Sequence, residues 1–103
     1  MSPETFTTNL QVQAKRLDLT ASDLSVWFER PRATVRSWLA ELRTPKEGRV
    51  LDECARRLTL LRSSRDLPVP FHISARERPA YIKLAYDRAD HAGVPARRSA
   101  RAG

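Results

Sequence analysis

The segment from Thr20 to Arg43 constrains this chain most, because two short amphipathic runs meet at Arg30-Pro31-Arg32, where one continuous helix cannot pass. Proline disfavours right-handed helical backbone at the residue before it, so one helix must end near Glu29 and another can begin with Pro31 in its first turn. The first run opens with Thr20 and Asp23 at the spacing of a capping box. The threonine hydroxyl accepts from the Asp23 amide, and the Asp23 carboxylate accepts from the Thr20 amide. Leu24, Trp27 and Phe28 then form its apolar stripe. In the second run Val35, Trp38, Leu39 and Leu42 fall at i, i+3, i+4 and i+7, which places them on one side of a helix and calls for their burial.

Roughly opposite that side lie Ala33, Arg36, Ser37 and Ala40, with Arg32 and Arg43 on the shoulder nearer Arg36. Small residues between arginines let a helix approach the floor of the DNA major groove while long cationic arms reach bases and phosphates. The spacing assigns Arg32, Ala33, Arg36 and Ser37 to base contact, and Arg30, Thr34, Arg43, Lys46 and Arg49 to phosphate contact.

Charge is divided unevenly along the chain. Residues 1–29 carry a net −2, residues 30–65 have ten basic and four acidic side chains for a net +6, and residues 66–103 a net +3. The excess begins at the break between the two runs, which favours a localised polyanion site over a general compositional bias. Arginine outnumbers lysine sixteen to three. A guanidinium can meet guanine O6 and N7 together, although alanine is abundant too and high-GC codon usage favours both residues, so position counts for more than number.

The 103 residues suffice for one helical domain, with 41% hydrophobic side chains. Residues 1 to about 6 read as a loose leader, followed by a scaffolding helix from about Thr7 to Leu17 on Leu10, Ala14 and Leu17. Thr44-Pro-Lys-Glu47 has the form of a second capping box opening a fourth helix, whose apolar face is Val50, Leu51, Cys54, Ala55, Leu58 and Leu61. Gly48 weakens the first turn of that helix by about 1 kcal/mol, so its start can slip. Leu67-Pro-Val-Pro-Phe-His-Ile73 is an extended linker with alternating Val69, Phe71 and Ile73, lying across the core or against a partner chain. Ser74 and Glu77 fit a further capping box, and a last helix carries Tyr81, Ile82, Ala85, Tyr86, Ala89 and Ala92. Phe71, Tyr81, Ile82 and Tyr86 either cover the core or form a two-fold interface. The expected architecture is all-α, about five helices with a Pro-rich linker before the last: a DNA-binding unit over 1–65, a packing or dimerisation unit over 66–93, and a basic disordered tail over 94–103.

Leu24 through Leu42, about a fifth of the chain, resembles the helix-turn-helix of Cro- and repressor-like bacterial and phage regulators. Ser25 stands where the two helices cross, Leu24 and Phe28 at the adjoining core positions, and Thr34-Val35 with Trp38 matches the recognition helix. The family usually has glycine in the turn followed by an aliphatic residue. Here Glu29 and Arg30 stand there, so Glu29 must take a different turn conformation or accept strain. The resemblance implies a recognition helix over about residues 31–42, with Arg32, Ala33, Arg36 and Ser37 facing bases and Thr34 near a phosphate.

Trp27 and Trp38 fall on inner faces and belong to the core, and the lone Cys54 reads as a small buried hydrophobe. His72 and His91 have no ligand at metal spacing, no cofactor motif is present, and no nucleophile or paired carboxylates suggest an enzyme. No run is apolar enough to span a bilayer and no secretory signal opens the chain, so a cytoplasmic protein is expected. The expected function is a transcriptional regulator, most simply a repressor, bound to double-stranded DNA as a homodimer. The alternatives are a packaging, excision or architectural factor, and an adaptor or antitoxin-like protein whose Val69-to-Ala92 region grips a protein partner while the helix-turn-helix is only scaffold.

Overall fold

The computed structural model describes residues 1–92 and contains five helices: α1 (Pro3–Arg16), α2 (Ala21–Phe28), α3 (Arg32–Leu39), α4 (Arg49–Ser63) and α5 (Arg78–Ala92). The expected basic tail lies outside the described residues. The all-helical expectation holds, with no strand among them.

Helix α1 begins earlier than the apolar spacing predicts. The Ser2 hydroxyl accepts from the Thr5 amide, Pro3 occupies the first turn, and Glu4 sits where the helix dipole favours a negative charge. The supposed leader is thus the opening of α1, and Phe6 on its first turns is fully buried.

Phe6, Phe28 and Trp38 bring α1, α2 and α3 together edge to face, with ring centroids 5.8, 5.5 and 5.9 Å apart. Each such contact adds about 0.5–1.5 kcal/mol beyond the area it buries. Around this trio close Leu10, Leu24, Val35, Leu51, Cys54, Leu58 and Leu61. Both tryptophans are buried as expected, and so is Cys54.

The same core takes in Leu67, Ile82 and Ala85, so the linker and α5 pack onto α1 to α4. Of the four candidate interface residues, three take the core-covering role. Ile82 is buried, Tyr81 donates to the Asp66 carbonyl at 2.6 Å, and Tyr86 stacks edge-on against Trp27 at 5.2 Å, all inside the chain's own fold. Only Phe71, at 101% exposure, stands wholly clear of it. The linker is extended only in its first part: Val69 packs against the core, but a turn closed by Ile73 N donating to Pro70 O at 3.0 Å breaks the expected alternation of Val69, Phe71 and Ile73 and turns Phe71 outward.

Candidate nucleic-acid interface

Helix α2 starts with the capping box the sequence predicts: Asp23 N donates to Thr20 Oγ1 at 3.1 Å and Thr20 N to Asp23 Oδ2 at 3.0 Å. The Asp23 carboxylate, only 4% exposed, also takes Arg78 Nε at 3.1 Å and Nη2 at 2.6 Å from the start of α5. Burial pushes the Asp23 carboxyl up, but the Arg78 guanidinium and the Thr20 amide together hold it below its ordinary value of 3.8.

Helix α2 ends without glycine. Glu29 sits in the left-handed region at φ 53, ψ 46, with Glu29 N donating to Val26 O and Arg30 N to Ser25 O at 3.1 Å. This is a Schellman closure, and Glu29 accepts the strained conformation that the missing glycine implied. Ser25 Oγ also donates to Arg30 O at 2.6 Å, drawing the turn shut.

A further carbonyl of the turn, that of Trp27, is served from α4. Arg57 Nη1 donates to Trp27 O at 2.9 Å, Nη2 to Glu29 Oε2 at 2.9 Å and Nε to Glu53 Oε1 at 2.9 Å. Trp27 Nε1 returns a hydrogen bond to Arg57 O at 2.9 Å, and the guanidinium lies 4.5 Å from the Tyr86 ring centre. Arg57 therefore positions the break between α2 and α3. Arg57 lies off the apolar face of α4, and nothing in the sequence distinguishes it from its neighbour Arg56.

Beyond that turn α3 is shorter than expected. Pro31 lies before the first turn as the cap residue with no side-chain cap bond, and the helix stops at Leu39. Glu41 at φ 60 turns the chain, with Glu41 N donating to Trp38 O and Leu42 N to Ser37 O. The predicted stripe Val35, Trp38, Leu39, Leu42 thus loses its last member: Leu42 is 78% exposed, because the left-handed residue carries it off the helix. Gln11 Nε2 of α1 donates to Leu39 O at 2.8 Å and anchors that end.

The Thr44–Glu47 capping box does not form. Gly48 caps α4 at φ 100, ψ −140, a conformation suited to glycine, so this residue enables the entry to α4 instead of weakening its first turn. Pro45 is buried and pins the connecting loop.

On the outward side of α3, Arg32, Ala33, Arg36 and Ala40 are exposed and Ser37 is half-exposed. Ser37 Oγ donates back to Ala33 O at 3.0 Å, and Arg32 Nη1 donates to Ser22 Oγ at 3.3 Å. Thr34 is partly covered, while Arg43, Lys46 and Arg49 stand in solvent on the loop and at the start of α4. Comparisons with protein-family models, with curated proteins and with solved structures give no match.

Arg30 departs from its expected place. It is half-buried beside Cys54, whose thiol is pushed up by burial and drawn partly back by this guanidinium, so less of Arg30 reaches solvent than of Arg43, Lys46 or Arg49. Elsewhere Arg56 pairs with Glu53 and Asp90, and Arg88 with Asp66. From Arg32 to Arg49 no cation is in an ion pair with a described residue, nor are Lys15, Arg62, Arg65, Arg76 or Lys83, which are scattered over other elements. Among the described residues no three His, Cys, Asp or Glu gather as metal ligands, and no helix is long and apolar enough to cross a membrane.

Proposed function

We propose that this chain is a sequence-specific regulator of transcription that lays α3 in the major groove of double-stranded DNA and blocks polymerase there. One observation carries the reading: the outward strip of α3 is made of Ala33, Arg36, Ser37 and Ala40, and it leads directly into the unpaired, solvent-facing Arg43, Lys46 and Arg49. A strip of small residues permits close approach to base edges, and the flanking cations hold the phosphates that fix register. The reading makes it a cytoplasmic protein of bacterial or phage type. It includes pairing of two copies on half-sites about one helical turn apart, with Phe71 the exposed aromatic free to serve that contact.

Selection of bound duplexes from a random library, with titration of the winner and a scrambled duplex at several salt concentrations, tests it. An enriched palindromic motif bound at least ~10³-fold more tightly than the scramble is expected. Arg43→Ala should weaken all duplexes alike and lower the salt slope by about one. Binding without an enriched motif refutes the regulator and favours an architectural factor. No binding at moderate salt refutes both.

A further inference from the structure

We infer that the α3 surface reads a single guanine through Arg36, with thymine methyls favoured on either side; this rests on the DNA-binding reading above. Arg36 is the one long side chain on the outward strip, and it has no hydrogen bond or ion pair with any described residue. Ala33 and Ala40, before and after it on the same strip, offer one methyl group each. Ser37 spends its hydroxyl proton on Ala33 O at 3.0 Å. Arg32, at the first position of α3, is drawn aside to Ser22 on α2 at 3.3 Å.

These four observations leave the strip with one forked donor between two methyls. The planar guanidinium matches O6 and N7 of guanine together, and the complement of an alanine methyl in the major groove is the thymine 5-methyl group. Ala33 and Ala40 are separated by about 10 Å along the axis at roughly 1.5 Å per residue. That length covers about three base-pair steps of roughly 3.4 Å. Each half-site therefore has a core of about four base pairs dominated by one G·C pair, and its flanks discriminate weakly.

Duplexes selected by the full chain are remade with each guanine replaced in turn by 7-deazaguanine, which lacks N7, or by inosine, which keeps O6 and N7 and loses only the minor-groove amino group. At one guanine per half-site, 7-deazaguanine should weaken binding on the order of tenfold while inosine leaves it unchanged. Arg36→Ala should bind the guanine and 7-deazaguanine duplexes equally. Arg36→Lys, which keeps the charge without the fork, should lose most of the difference while binding more tightly than Arg36→Ala. Circular dichroism of the Arg36 variants should match the parent, since the side chain is exposed and unpaired.

Failure to select any motif overturns the regulator reading and this inference with it. A motif without a sensitive guanine, a loss on inosine substitution, or a 7-deazaguanine loss that persists in Arg36→Ala overturns this inference alone.

Discussion

Arg56 and Arg57 are neighbours on α4 that each bind Glu53 and meet Tyr86, yet they should differ sharply in what they contribute to stability. The Arg57 side chain is 12% exposed and supplies a donor to Trp27 O, a carbonyl at the end of α2. Hydrogen bonds involving a charged group contribute about 1.5–3 kcal/mol when shielded from water. Its pairs with Glu29 and Glu53 add less, because those carboxylates are 67% and 42% exposed and exposed pairs contribute about 0.2–1 kcal/mol each. Contact with the Tyr86 ring adds about 0.5–1 kcal/mol.

Allowing for overlap among these contacts, Arg57→Ala should cost about 2–4 kcal/mol. Arg56 makes as many polar contacts but is 44% exposed, and its acidic partners are 42% exposed, so Arg56→Ala should cost less than about 1 kcal/mol. Urea unfolding followed by far-ultraviolet circular dichroism measures both. In a thermal scan the Arg57 variant should lose at least about 8 °C, and the Arg56 variant no more than a few degrees. Equal losses, or a larger loss for Arg56→Ala, would show that the number of contacts outweighs burial and helix capping.

Asp23 supplies a pH dependence with a definite sign. Its carboxyl is held below 3.8 in the folded protein, so the stability it contributes is complete above that value and disappears as pH falls through the lower folded value. Asp23→Asn should cost about 1–3 kcal/mol at neutral pH by unpairing Arg78, and should flatten the loss of stability below about pH 4 without abolishing it. Glu53, lowered chiefly by Arg56, and Glu77, lowered by Ser74, still titrate in the variant; urea midpoints from pH 2 to 7 give the comparison. Glu41→Gly should raise stability by about 0.5–1 kcal/mol, since glycine relieves the left-handed backbone at φ 60; an unchanged or lower urea midpoint would argue against strain there.

Some features were legible because the residues that cause them are neighbours in the chain. Thr20 with Asp23 and Ser74 with Glu77 form the hydrogen bonds their spacing implies, and the apolar stripes of α2, α4 and α5 face the core apart from Ala55 and the exposed Ala92. The Ser2-Pro3-Glu4 opening of α1 is equally local, but it precedes the Leu10, Ala14 and Leu17 repeat and so lies outside the apolar periodicity. Other features had no local marker. Asp18, Glu29 and Glu41 each end a helix in the left-handed region, where glycine is the usual signal, so the early stop of α3 and the exposure of Leu42 could not be read. Arg57 and Arg78 look like surface charges in the sequence, and their roles arise only when α4 and α5 pack on α2. Within the candidate interface, Arg36, Arg43, Lys46 and Arg49 stand exposed as their positions suggest, whereas Arg30 is half-buried beside Cys54, a residue 24 positions away that no local pattern connects to it.

The pair between Asp23 and Arg78 joins residues 55 apart in the chain and seats the start of α5 on the start of α2. During synthesis, α1 to α4 would leave the ribosome before their cover arrives, with Trp27 lacking the Tyr86 ring and Asp23 lacking its guanidinium. A nascent chain that has not yet delivered α5 therefore holds the α3 surface in an incomplete frame. Competence to use that surface should arise late and all at once, and a fragment ending at residue 65 should behave as an unstable intermediate, not as a small working module.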